Sequence, residues 1–270
     1  MILFDTHLHY NLSPLLEDWK TYHHRAVSAG LLHAIVVGTT DKTSAIAVEM
    51  AKEIPELFAS IGVHPNDQPD ENWEKATTEI ERLYEHNQSE KNLIVAIGEI
   101  GLDYARIQHH PDPDQEKTRQ KNLFNHQLRF AQSINLPVIL HCRDAHQDLF
   151  QLLNEVDPTK NMRLIFHCMS GTEQELDTAL EFDSYISFAG NITYPKSTEL
   201  RTLVQKTPIN RILAETDAPY LPPQEFRGKT NYPEYVRYTI ELIAELKQQS
   251  VEEMSQRVHQ NALECFRIQP

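Results

Sequence analysis

His7 and His9 stand two residues apart in the run Phe4-Asp-Thr-His-Leu-His9. On a strand, residues i and i+2 point to one face, so these two imidazoles can share one divalent ion. By itself the pair reads more readily as two core histidines satisfied by backbone partners. Further polar residues shift that balance. His64, Glu99, His141, His167, Glu215 and Asp217 each stand at or just beyond the end of a short apolar run. Four histidines (His7, His9, His141 and His167) with the carboxylates Glu99 and Asp217 suffice for two metal ions with one carboxylate bridging. Metal ions lower the pKa of water toward neutrality, so a neighbouring carboxylate can take a proton from it. The chemistry implied is metal-assisted hydrolysis.

The elements that must carry these residues alternate. Apolar runs at Ile2–Phe4, Ala34–Val37, Phe58–Val63, Leu93–Ile97, Pro137–Leu140, Arg163–Phe166, Tyr185–Phe188 and Arg211–Leu213 are β-rich and continuous. Such runs suit parallel strands covered on both faces. Helix-like stretches lie between them, among them Leu15–Ala29, Trp73–Asn87, Gln115–Ile134, Asp144–Asn154, Thr172–Leu180 and Thr198–Lys206, and Pro233–Lys247 and Val251–Phe266 close the chain. Eight strand–helix units make a (β/α)8 TIM barrel of the α/β class, read as one domain over residues 1–270. A doubly wound open sheet would want a glycine-rich phosphate loop after an early strand, and the chain has only 8 Gly and no such loop. In a barrel the carboxyl ends of the strands converge on one face, which is where barrel enzymes keep their active sites. Residues 105–114, with His109 and His110, read as a loop beyond the fourth strand, best taken as solvated.

The composition narrows the partners. Lys plus Arg is 25 and Asp plus Glu 39, a net charge of −14. That excludes a protein that coats nucleic acid through bulk positive charge, though not an enzyme that grips one phosphate through metal ions. Three cysteines at wide spacing (Cys142, Cys168 and Cys265) form no disulfide framework and suit a reducing compartment. No apolar run is long enough to span a membrane and the N-terminus lacks a basic leader, so a cytoplasmic location with no membrane and no obligate protein partner is expected.

Seven stretches together resemble the TatD family of metal-dependent deoxyribonucleases, within the amidohydrolase-like barrels. They are Phe4–His9, Ile61-Gly-Val-His-Pro65, Ala96-Ile-Gly-Glu-Ile-Gly-Leu-Asp-Tyr104, Leu136–Ala145 with His141-Cys-Arg-Asp, Phe166-His-Cys-Met-Ser-Gly171, Glu215-Thr-Asp-Ala-Pro-Tyr-Leu-Pro222 and Arg227-Gly-Lys-Thr-Asn231. Their order and spacing match from residue 4 to about residue 266. The resemblance implies that His7, His9 and Asp217 hold one divalent ion and that His141 and His167 hold the other, with Glu99 bridging. Asp217 would also orient or deprotonate the attacking water, and His64 and Arg143 would touch the substrate phosphate. Many relatives in the wider superfamily bridge with a carbamylated lysine, whereas this chain offers Glu99. Arg227 and Lys229 are further candidates for substrate contact, weighed equally against a solvated loop. The ions would be Mg, Mn or Zn, and the substrate DNA, single-stranded or at an end, cleaved exonuclease-like by a two-metal-activated water.

Two rivals stand beside this reading. An amidohydrolase could cleave a C–N or ester bond with the same cage, but the cationic donors favour phosphate. A non-catalytic metal-binding barrel would not need every ligand and the base. Asp5 and Glu215, each two residues before a proposed ligand, are expected as supports of the ligands or strand-end acceptors. Asp103 is expected to cap the loop after Glu99. Cys142 and Cys168 should pack outward, because each adjoins an inward ligand. Tyr10 and Met169 depart from the family's usual residues and bear on substrate preference.

Overall fold

Eight strands pair in chain order, each parallel to the next: β1 (Leu3–Leu8), β2 (Leu31–Val37), β3 (Leu57–Ile61), β4 (Ile94–Asp103), β5 (Val138–Arg143), β6 (Leu164–Phe166), β7 (Tyr185–Phe188) and β8 (Ile212–Ala214). The computed structural model describes residues 1–67, 73–90, 93–105 and 107–269. Between and after the strands lie α1 (Trp19–Ser28), α2 (Asp41–Glu53), α3 (Trp73–Asn87), α4 (Pro113–Ile134), α5 (His146–Val156), α6 (Glu173–Leu180), α7 (Thr198–Lys206), α8 (Val236–Leu246) and α9 (Val251–Phe266). The ring closes just above β8: Leu8 bridges Ala218, the Asp217 N–H donates to the His7 carbonyl (2.9 Å), and the His9 N–H donates to the Ala218 carbonyl (2.8 Å). Closure thus falls on the site residues, and it brings the two ends of the motif set into one hydrogen-bonded frame.

The continuous apolar runs follow from burial on both faces. Leu3, Val36, Ile97, Leu140 and Phe166 pack outward under the helices, while Phe4, Ile35, Phe58, Ile139, Ile165 and Leu213 form a second cluster within the ring. Ala262 and Phe266 of α9 join that inner cluster, and Phe266 stacks on Phe4 with centroids 6.5 Å apart. The last helix therefore plugs the mouth at the amino ends of the strands. Burying one such phenyl ring contributes about 1.5–3 kcal/mol. The carboxyl ends are left to polar residues.

Local signals account for the helix boundaries. Capping boxes start α2 (Thr40 with Thr43), α6 (Thr172 with Glu175) and α9 (Ser250 with Glu253), and Asp112 caps α4 with Pro113 at its first position. Several elements differ from their sequence-based bounds. β1 runs on to Leu8, β4 to Asp103 and β5 to Arg143, because ladder pairing carries polar residues that an apolar run leaves out. Residues 16–18 and 233–235 form 3-10 turns ahead of α1 and α8, and α5 waits until His146 because Asp144 has φ 55°. Within 105–114 a 3-10 turn spans Ile107–His109 and α4 begins at Pro113, two residues before the expected Gln115; residue 106 lies outside the described residues. Among the described residues no helix is long and apolar enough to cross a membrane.

Candidate metal centre

Glu99 lies at the centre of the open end. It is 4% exposed, and four imidazoles face its carboxylate. Oε1 is 2.7 Å from His141 Nδ1, 2.9 Å from His167 Nε2 and 3.6 Å from His64 Nε2, while Oε2 is 3.4 Å from His7 Nε2. Asp217 Oδ1 closes the other side, 3.4 Å from His9 Nε2 and 3.8 Å from His7 Nε2. The His7 and His9 Nε2 atoms are 3.2 Å apart. β4 can present Glu99 so close to β5 because Gly101 has no side chain: its φ is +149°, and a Cβ there would lie 1.9 Å from the His141 carbonyl.

Supporting contacts decide which ring nitrogens face inward as acceptors. His9 Nδ1 is 3.0 Å from the Val37 carbonyl, which can only accept, so Nδ1 carries the hydrogen and Nε2 keeps its lone pair in the neutral ring. His167 Nδ1 likewise faces Glu215 Oε1 at 3.2 Å, and His141 Nε2 faces Asp103 Oδ2 at 3.1 Å. With those nitrogens donating outward, the inward nitrogens of His141 and His167 meet the Glu99 oxygens lone pair to lone pair. Such a contact needs a positive charge between or upon its partners. Imidazole nitrogens and carboxylate oxygens converging in this way fit divalent metal ions. Three groups of donor atoms each close to within 4.8 Å: His7, His9 and Asp217; His7, His167 and Glu215; and His64, Glu99 and His141.

The electrostatics express the same demand. Burial opposes ionisation of Glu99, yet His167, His64 and the His141 contact outweigh it and hold the carboxyl well below its usual range. Burial also opposes charging of His167, but Glu99 and Glu215 outweigh it and hold the imidazole well above its usual value. His9 and His141 are raised against burial by their carboxylate partners, and Asp217 is lowered against burial by His9 and its neighbours. His7 is lowered by burial and by His167, and His64 is pushed down to about 3 chiefly by burial.

A cleft of about 590 Å³ opens above these groups, and His9, His64, Glu99, His141, His167, Asp217 and Arg143 all border it. Arg143 is exposed at its rim. Arg227 and Lys229 do not border the cleft; they are exposed on the segment after β8, with the Arg227 guanidinium 4.6 Å from the Tyr194 ring. His109 and His110 also lie off the cleft.

Asp5 is a strand-end acceptor, one of its two expected roles: it takes the Thr216 N–H (2.9 Å) and hydroxyl (2.5 Å) of the segment after β8 and the His7 N–H (3.3 Å), where the β1–β2 register shifts between Asp5 and Leu8. Glu215 faces His167 Nδ1 (3.2 Å) and accepts from the Cys168 N–H (2.8 Å). Asp103 accepts from the Ala105 N–H (3.0 Å), as a loop cap should, and also meets His141. Its spacing of four from Glu99 was the available signal for that second contact. Cys142 packs against the outer core, as expected, and also borders the cleft. Cys168 does not follow: β6 has ended, its φ is 42°, and its Sγ accepts from Asn191 Nδ2 (3.6 Å) beside the cleft. Tyr10 and Met169 are both buried, and neither borders the cleft. Asp67 and Asn191 border the cleft and carry no motif spacing that singles them out; Tyr220 borders it too and lies within the Glu215–Pro222 stretch, where no role was expected of it.

The profile of TatD related DNases matches residues 4–267. A Bacillus subtilis protein described as the uncharacterized metal-dependent hydrolase YabD is 37% identical over 267 residues, covering 99% of this chain and 100% of that protein. A Pantoea vagans protein named 3'-5' ssDNA/RNA exonuclease TatD is 32% identical over 273 residues, covering 98% and 100%. The crystal structure of the TatD homologue YjjV from Escherichia coli superposes with a TM-score of 0.86 at 30% identity, covering 99% of this chain and 98% of that one. With the barrel, the ordered motifs and an end-to-end match in agreement, this chain belongs to the TatD related DNase family.

Proposed function

We propose that this metal-dependent hydrolase cleaves phosphodiester bonds in nucleic acid, with DNA, single-stranded or at an end, as its substrate. The observation that carries the reading is the convergence of Glu99, Asp217 and the imidazoles of His7, His9, His141 and His167 beneath a cleft whose rim holds Arg143. The naming of a Pantoea vagans relative as a single-strand exonuclease supports the choice of substrate.

In this reading His7, His9 and Asp217 would hold one divalent ion, and His141 and His167 a second, with Glu99 available to both. Bound there, Mg, Mn or Zn would supply Lewis acidity, polarising a phosphoryl oxygen and acidifying water. The chain's own groups do the rest. Asp217, kept ionised by His9 and its neighbours, orients the attacking water and takes its proton at a carboxylate oxygen. His64, uncharged, offers a neutral contact to the phosphate. The Arg143 fork binds two phosphoryl oxygens and orients the phosphorus for in-line attack. Arg227 and Lys229, beyond the cleft, meet the strand farther from the reacting bond. Asp103, Glu215 and the Val37 carbonyl keep three imidazoles in the tautomer a ligand needs.

The test is an assay of the protein stripped of metal and then reconstituted with Mg, Mn or Zn, run in parallel on labelled single-stranded DNA, RNA and a set of cyclic amides. Hydrolysis of DNA that chelator abolishes and metal restores is expected. Turnover of the amides with none of the oligonucleotides would replace the reading with an amidohydrolase.

A further inference from the structure

The cleft has two chemically distinct walls. The loop after β3 and the end of β5 bring polar and charged groups to it, His64, Asp67 and Arg143. Loops after β1 and β8 bring Leu12, Tyr220 and Leu221, and they lie side by side because Leu8 bridges Ala218. Tyr220 is 52% exposed, an unusual placement for a large aromatic ring at the mouth of a buried charged site. Its ring stands edge-on to His9, with centroids 6.1 Å apart.

The backbone beneath that ring is fixed. The Tyr220 N–H donates to the Asp217 carbonyl at 2.8 Å. Asn231 is fully buried, and its side-chain amide donates to the carbonyls of Tyr220 (2.6 Å) and Thr216 (2.8 Å). One side chain thus locks both ends of the turn that runs from the site carboxylate to the exposed ring. An exposed aromatic face on a fixed backbone, held over reacting groups and opposite a polar wall that carries Arg143, matches a nucleotide's own division into flat base and anionic phosphate.

We propose that Tyr220, flanked by Leu12 and Leu221, is the platform on which a nucleobase next to the cleaved bond stacks. The inference rests on the nucleic-acid reading above and deepens it. Every base has a π-face, so the platform reads little sequence. It requires an unpaired base, and so favours single strands or frayed ends. It also supplies affinity without cations, which suits a chain of net charge −14.

The metal-loaded enzyme is assayed on a single-stranded oligonucleotide and on strands from which the base on either side of the cleaved bond has been removed in turn. Wild type, Tyr220→Phe and Tyr220→Ala are compared, with thermal melting to confirm folding. Wild type should lose about 5- to 150-fold in kcat/KM on one abasic strand, the fold-change equivalent of one base–aromatic stack. Tyr220→Ala should lose a similar factor on the intact strand yet discriminate intact from abasic by no more than about twofold, and Tyr220→Phe should behave as wild type. Equilibrium binding of the same strands with a non-cleavable linkage should show the same coupling without turnover. Equal losses for Tyr220→Ala on intact and abasic strands would overturn the platform while leaving the nuclease reading in place. A wild-type enzyme that turns over cyclic amides and no oligonucleotide would remove the nuclease reading, and this inference with it.

Discussion

Replacing Glu215 by Gln tests whether the outer supports of the centre set metal affinity. Glu215 is fully buried, and its Oε1 accepts from Cys168 N–H (2.8 Å) and faces His167 Nδ1 (3.2 Å). A glutamine oxygen at the same place keeps both contacts but removes the charge. Hydrogen bonds to a charged group contribute about 1.5–3 kcal/mol, against about 1 for a neutral pair. The His167 contact should therefore weaken by about 0.5–2 kcal/mol, and the ring loses basicity at Nε2. That is about 2- to 30-fold in the affinity of the ion that His167 would hold, reaching into the tenfold to hundredfold range for supports of metal-bound histidines. Stability of the metal-free protein should fall as well, by about 1–3 kcal/mol, since the His167 contact weakens there too and the amide nitrogen takes the place of Oε2, which is buried without a hydrogen-bond partner among the described residues. Glu215→Ala leaves the Cys168 N–H and His167 Nδ1 unpaired, and should cost about 1–3 kcal/mol of folding stability in chelator as well. Calorimetric metal titration and chemical denaturation in chelator measure the two effects separately. A Glu215→Gln variant that binds metal as tightly as wild type would refute the reasoning, because the Nδ1 contact would then have no bearing on the inward nitrogen.

Asp217→Asn should fold and melt like wild type while kcat falls by about 10²-fold or more, since the amide keeps one oxygen but takes no proton; activity within a few-fold of wild type would move the base elsewhere. Melting curves from pH 5 to 9 should separate the metal-free and metal-loaded proteins. In chelator, the raised His167 contributes stability that is full below its ordinary 6.5 and lost as pH rises through its folded value, and Asp5, pushed up to about 8 by burial, acts in the same direction. The lowered Glu99 contributes stability present above its ordinary 4.5 and lost as pH falls through its folded value, so the chelated protein should be most stable between these limits and decline above them. Saturating metal should shift that decline to higher pH, and superimposable curves with and without metal would contradict this account. Arg143→Lys should weaken binding of a non-cleavable oligonucleotide while metal content stays intact, and the log–log salt slope of the wild type should lie near −1.5 to −3, at about 0.7 per phosphate contact; a slope steeper than about −5 would reveal a basic track.

Much of this protein is legible in its chain. The period and continuity of the apolar runs specify a parallel, doubly covered sheet, because a strand buried on both faces cannot alternate. The gathering of His7, His9, His141, His167 and Asp217 at one face needs no coordinates, since in such a barrel every carboxyl end reaches one face; Glu99 joins them from within β4, four residues before its end. Other features arise only once strands pair. Asp5 meets Thr216 where the register shifts between Asp5 and Leu8, and no local preference encodes which of two faces a bulged strand presents. The longer reach of β1, β4 and β5 comes from hydrogen bonds to neighbours distant in sequence. Cys168 leaves the outer face because β6 stops one residue before His167. The tautomers of His9, His141 and His167, and the exposed ring of Tyr220 clamped by Asn231, depend on partners that only folding brings within hydrogen-bond reach. By itself, the sequence determined the barrel and the ligand types at its open end, because hydrophobic period and residue chemistry are local properties. Only the tertiary structure decided which nitrogen faces inward and which side chain stands at the rim, because hydrogen-bond geometry is set by atoms that meet across the ring.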